Sequence, residues 1–167
     1  MIILGIDPGT ARCGYGVIEK KGSAVRAAAY GLIETDKDME PALRLKKIYN
    51  ELSDIIDKYK PEFVSVEKLF FNKNVTTAIS VAEARGVILL SAVLAGAQIR
   101  EYTPMQVKMA LTGYGKADKK QMQEMIKMLL GLKAVPKPDD VADALAIAVC
   151  CSSFYKFENF KNTGGKK

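Results

Sequence analysis

MIILGIDPGTARCGYGVIEK, residues 1–20, sets an acid at the end of an apolar run and then turns the chain back on itself. Ile2 to Ile6 are five residues that are all apolar or glycine, Asp7 follows them, and Pro8-Gly9 leads toward a second apolar stretch. That is the pattern of a buried strand, a glycine-containing turn and a return strand. Three readings of Asp7 are open at this point. It is a turn or cap residue, as Asp before Pro-Gly commonly is, or part of a phosphate-cradling loop, or a metal ligand held at the rim of a sheet.

Working outward, residues 2–6, 14–20 and 24–34 read as three strands of an antiparallel meander, with Lys20-Lys21-Gly22-Ser23 as the hairpin connection. Pro41 opens a helix in which Leu45, Ile48, Leu52, Ile55, Ile56 and Tyr59 recur at helical spacing, and Pro61 closes it. A short strand, Phe63 to Val66, ends at Glu67. After the loop KLFFNKN, a helix is expected from Thr76 to Ala97 and a strand from Gln98 to Tyr102. GYGKADKK reads as a basic linker, with Asp118 as N-cap of a helix striped by Met122, Met125, Ile126 and Leu129. PDDVADALAIAVCC opens the last helix. Strands in a meander followed by alternating helices and strands predict an α/β fold, with one mixed five-stranded sheet and covering helices on both faces. Residues 1–155 form the expected domain, and 156–167 a frayed, polar and basic tail.

The 167 residues are 49% hydrophobic and 26% charged, enough for one domain with a proper core. The longest run of apolar and small residues, Gly86 to Ala97, is shorter than the roughly 20 residues a bilayer crossing needs, and no basic leader precedes it, so a soluble cytoplasmic protein is expected. Cys13, Cys150 and Cys151 have no CxxC spacing and read as buried thiols. The chain has no histidine, which excludes an ordinary zinc site and any Ser-His or Cys-His nucleophile pair. Acid-base chemistry is left to carboxylates, lysines, tyrosines or a metal. A net charge of +6 permits a nucleic-acid partner, and the cations gather around Arg44–Lys47, Lys68–Lys73, Lys116–Lys120, Lys133–Lys137 and the C-terminus.

The acids stand in apolar surroundings. Asp7 and Glu67 end two strands, where ligands collect in open α/β sheets. Asp140 and Asp143 are three apart, on one face at the start of an almost wholly apolar helix. Acids in a first turn also complement the helix dipole, and Asp139 reads as a cap. Four converging carboxylates repel one another, and a divalent cation resolves the conflict. Oxygen ligands without His or Cys favour Mg²⁺, with Mn²⁺ as a substitute, and a pair of such ions activates water and stabilises the leaving oxygen of a phosphodiester.

GIDPGTARCGYGVI, VEKLFFNKN, ARGVILLSAV, YTPMQVKMALTGYGKADKKQM and DDVADALAIA together resemble the RuvC family of bacterial Holliday-junction resolvases, in order and spacing, from about residue 1 to 155. The resemblance implies an RNase H-like fold and a homodimer that makes symmetric paired nicks in four-way junction DNA during recombination and repair, leaving 5′-phosphate ends. It also implies the branch-migration proteins RuvA and RuvB as partners. By position, Asp7, Glu67, Asp140 and Asp143 match the family's catalytic metal-binding carboxylates, and Asp139 does not. Phe70 matches an aromatic residue near the junction centre, suited to stacking on an unpaired base, with Phe71 beside it. Lys108 and Lys119 match basic residues near the DNA backbone and the active site. Arg12, Lys68, Lys73, Lys116 and Lys120 are further phosphate-contact candidates. The helix through ARGVILLSAVLAGA is apolar nearly all round, which suits burial or a self-complementary dimer surface, and the resemblance favours the dimer.

Three other functions fit less well. A sugar kinase or actin-like ATPase shares the Asp-Gly-Thr type of opening but needs two such subdomains. Another RNase H-like nuclease, for example one trimming ribosomal RNA precursors, does not account for the paired phenylalanines or the ADKKQM and DDVADALAIA segments. A junction-binding module without catalysis has no use for four intact carboxylates.

Overall fold

The computed structural model describes residues 1–68 and 75–163. Three strands, β1 (Ile2–Asp7), β2 (Arg12–Lys21) and β3 (Ala24–Glu34), are followed by helix α1 (Pro41–Tyr59) and strand β4 (Phe63–Glu67). Helix α2 (Val75–Leu94), strand β5 (Gln98–Tyr102) and helices α3 (Pro104–Thr112), α4 (Lys119–Leu129) and α5 (Asp139–Thr163) complete the chain. The sheet order is β3-β2-β1-β4-β5. β1 runs antiparallel to β2 and parallel to β4, and the β2–β3 and β4–β5 pairs are antiparallel and parallel. This is the mixed sheet expected. Among the described residues, no helix is long and apolar enough to cross a membrane.

Alternation along β1 and β4 sorts side chains to the two faces. Leu4, Ile6, Val64 and Val66 pack with Ile48, Leu52, Ala84 and Ile88 of α1 and α2. Ile3 and Phe63 point the other way, into the layer built by α5 with Val107, Leu111, Met122 and Ile126 of α3 and α4. By that same period of two, Asp7 and Glu67 belong to the α5 face.

α5 lies flat on the sheet because glycines clear its path. A Cβ on Gly5 would run into the carbonyl oxygen of Ala144, and one on Gly14 into that of Asp140. Gly14 is the register partner of Asp7. The residue that faces Asp7 across the strand pair is thus the one that lets the start of α5 descend onto the sheet.

Two elements differ from expectation. α3 occupies a stretch to which the sequence pattern assigns no element. Thr103 caps it in a reciprocal box with Gln106, Pro104 takes the first turn, and Gly113 ends it in the left-handed region at φ 69°. α5 runs on to Thr163, through most of the segment expected as a frayed tail. Phe154 stacks on Tyr102 at 5.4 Å and Tyr155 meets Phe63 edge-on at 5.3 Å, contacts that carry the helix past its alanine-rich part. Of the stripe on α4, Met122 and Ile126 are core, as expected, and Leu130 joins them, whereas Met125 is half-buried and Leu129 is exposed. All three cysteines are buried and none is in a disulfide.

Candidate active site

Asp7 and Glu67 each directly follow the last registered pair of β1 and β4, Ile6 and Val66, and so stand side by side at one end of the parallel pair. The start of α5 brings Asp140 and Asp143 over that end. All four are half-buried. Asp7 is the hub. Its carboxyl is pushed up to about 7, first by burial and then by the charges of Asp143, Glu67 and Asp140, with only Lys119 pulling the other way. Burial and then Asp143 raise Glu67, which Lys108 partly offsets. Burial also raises Asp143 against the opposing pull of Lys119.

Two cations face these acids. α3 contributes Lys108 and α4 contributes Lys119 to a cleft of about 240 Å³ that Glu67 and Asp143 also line. The Lys119 ammonium lies 2.9 Å from Asp139 Oδ2 and 3.6 Å from Asp143 Oδ2. Asp139 is therefore the first residue of α5 and a partner of Lys119, and its expected role as a side-chain cap is not what it does. Its other oxygen accepts a hydrogen bond from Gln123 Nε2 at 2.8 Å, and the two donors hold its carboxyl below the usual carboxylate range. Gln123 was not singled out in the sequence, although it sits one helical turn after Lys119.

Cys13 adjoins the cluster, and burial above all pushes its thiol up to about 12, so it presents no thiolate there. The available donors are carboxylate oxygens, which suit a hard divalent cation. Among the described residues, no three Asp, Glu or Cys side chains are gathered closely enough to enclose a cation as they stand. The acids converge without closing a cage.

Among the described residues, the remaining predicted cations are peripheral. Arg12 is exposed and 3.9 Å from Glu34, while Lys68, Lys116 and Lys120 are exposed on connections or at the start of α4. Phe70, Phe71 and Lys73 lie outside the described residues.

α2 presents a further surface. Ala84, Ile88 and Ala92 are buried on the sheet, whereas Ile79, Leu90, Val93 and Leu94 are between 54% and 66% exposed. Gly86 has open space where a side chain would stand.

A sequence model of the family described as "Crossover junction endodeoxyribonuclease RuvC" matches residues 3–151. A crossover junction endodeoxyribonuclease RuvC from Brevibacillus brevis is 59% identical over 157 residues, covering 94% of this chain and 95% of that one. One from Heliobacterium modesticaldum is 57% identical over 152 residues, covering 91% and 94%. The structure of Thermus thermophilus RuvC in complex with Holliday junction substrate aligns with a TM-score of 0.91 at 35% identity, over 95% of this chain and 96% of that one.

Proposed function

This chain belongs to the RuvC family of crossover junction endodeoxyribonucleases, and on that premise we propose which of its residues cut the DNA and how. It is a Holliday-junction resolvase with an RNase H-like fold. Asp7, Glu67, Asp140 and Asp143 hold the divalent metal, Mg²⁺ or in its place Mn²⁺. The observation that carries this reading is the Asp7 carboxyl, pushed up to about 7 by burial and three neighbouring acids. Half-buried like charges that repel one another so strongly are a costly arrangement unless a cation shares them.

Bound Mg²⁺ supplies Lewis-acid activation of water and charge neutralisation at the scissile phosphodiester. The chain's own groups do the rest. Lys108 and Lys119, on the wall of the same cleft, hold the scissile strand and offset the charge that develops on its phosphate. Arg12, Lys68, Lys73, Lys116 and Lys120 contact phosphates farther along the junction arms, and Phe70 and Phe71 stack on bases at its centre.

The apolar outer face of α2 supports a homodimer, because Leu90, Val93 and Leu94 with the open Gly86 form a self-complementary patch. Two sites on one dimer make symmetric paired nicks that leave 5′-phosphates. The family resemblance implies RuvA and RuvB as partners, and the apolar pattern of the chain a cytoplasmic location.

The test is incubation with end-labelled four-way junction and with linear duplex of the same sequence, with and without Mg²⁺. Paired nicks in the junction alone, and only with the metal, are expected. Equal cutting of linear duplex, or cutting in chelator, overturns the reading.

A further inference from the structure

Asp139 is one residue away from a proposed metal ligand, yet each of its carboxylate oxygens has a partner of its own. Oδ2 meets the Lys119 ammonium at 2.9 Å and Oδ1 accepts from Gln123 Nε2 at 2.8 Å. Both partners come from α4 and are four residues apart, hence on one face of that helix. The Lys119 backbone is fixed as well, because Asp118 and Gln121 close a reciprocal capping box at the start of α4. What remains free is the lysine side chain, long and flexible enough to sample many positions. Asp143 already shares the ammonium in a longer ion pair, at 3.6 Å.

We infer that Asp139, steadied by Gln123, is a positioning residue: it holds the Lys119 ammonium at the rim of the acid cluster and limits its pairing with Asp143 to the longer contact. The inference rests on the proposed role of Lys119 at the scissile phosphate. Its logic is competition between two anions for one cation. With Asp139 present, the ammonium takes the shorter contact with the carboxylate that binds no metal. Without it, the nearest anion is Asp143, and an ion pair there occupies the oxygens that a divalent cation requires. Both groups of the Lys119–Asp139 pair are more than half exposed, and exposed pairs of this kind contribute little to stability. Placement is the function such a contact can serve.

The experiment uses the full chain and compares Asp139→Ala, Asp139→Glu, Lys119→Ala and the double variant Asp139→Ala/Lys119→Ala. The readouts are single-turnover cleavage of a labelled junction across a Mg²⁺ titration, junction affinity in chelator, Tm, and NMR relaxation of the Lys119 side chain in chelator. Asp139→Ala is expected to cleave about tenfold more slowly and to need more Mg²⁺, as loss of a supporting contact commonly costs. Its Tm and junction affinity stay unchanged, the relaxation of its Lys119 side chain changes as the ammonium moves from Asp139 to Asp143, and Asp139→Glu recovers part of the lost rate. In the Lys119→Ala background, Asp139→Ala has no further effect, because the two act as one unit.

An equal loss in that background overturns the inference, since Asp139 would then be acting as a ligand or as a structural residue. So does full cleavage by Asp139→Ala or by Lys119→Ala. Failure of the metal assignment shows elsewhere, as retained cleavage by Asp7→Asn, and leaves the order of the Lys119 side chain in chelator to judge the contact itself.

Discussion

Asp7→Asn is expected to abolish cleavage and, in chelator, to make the protein more stable. The Asp7 carboxyl titrates at about 7 in the folded protein against 3.8 without its surroundings, chiefly through burial and then through repulsion by Asp143, Glu67 and Asp140. Between those two values the folded chain binds more protons than the unfolded one, so stability falls as pH rises through that window. Below 3.8 both states are protonated and the penalty vanishes; above about 7 it levels off. At about 1.4 kcal/mol per pKa unit, the ionised carboxylate costs up to about 4 kcal/mol at pH 8 and less than about 2 kcal/mol at pH 5. Asparagine keeps the shape and removes the charge. For a chain of this size, Tm of the variant in chelator should exceed that of the unsubstituted protein by about 5–10 °C at pH 8, with less than half that gap at pH 5. Millimolar Mg²⁺ should stabilise the unsubstituted protein far more than the variant and narrow or reverse the order. Scanning calorimetry at the two pH values, in chelator and in Mg²⁺, measures all of this. A variant no more stable than its parent at pH 8 in chelator, or a gap independent of pH, would refute the account of Asp7.

Junction affinity should fall steeply with salt, because each phosphate neutralised by the surface lysines releases condensed counterions; a flat titration between low and physiological salt would exclude a backbone-dominated contact. Leu90→Glu and Val93→Glu, on the exposed face of α2, should give monomers at micromolar concentration in sedimentation and uncouple the paired nicks, whereas dimers that persist would move the interface elsewhere. Gly14→Ala should lower stability by about 1–3 kcal/mol in urea unfolding, because the added methyl meets the Asp140 carbonyl. The same variant should lose more cleavage than junction binding, since the displaced helix start carries Asp140.

The sheet was legible because its strands announce themselves. Runs such as Ile2–Ile6 and Phe63–Val66 are too apolar and too short for surface helices, and Gly22 marks the turn between β2 and β3 with a φ of 60°. The parity of Asp7 and Glu67 was equally readable, as both end strands that must be parallel neighbours. α3 was not read as a helix because only Val107 and Leu111 of its nine residues are buried, which leaves too little apolar periodicity. Its signal was local instead: Thr103, Pro104 and Gln106 spell a capping box with proline in the first turn.

What spacing along the chain could not convey is which acid the lysines choose. Asp139, Asp140 and Asp143 are equivalent by composition and nearly so by position, and an acid at a helix start is ordinarily explained by the dipole. Their roles separate only when α4 is laid beside α5. Lys119 and Gln123 then take Asp139 out of the acid cluster, and Gly14, the strand partner of Asp7, lets Asp140 come down beside it. On the proposed assignment, the division of labour among three neighbouring aspartates is a property of packing: a glycine on one strand and a lysine on the adjacent helix set which carboxylates would share a cation and which one would steady the lysine beside it.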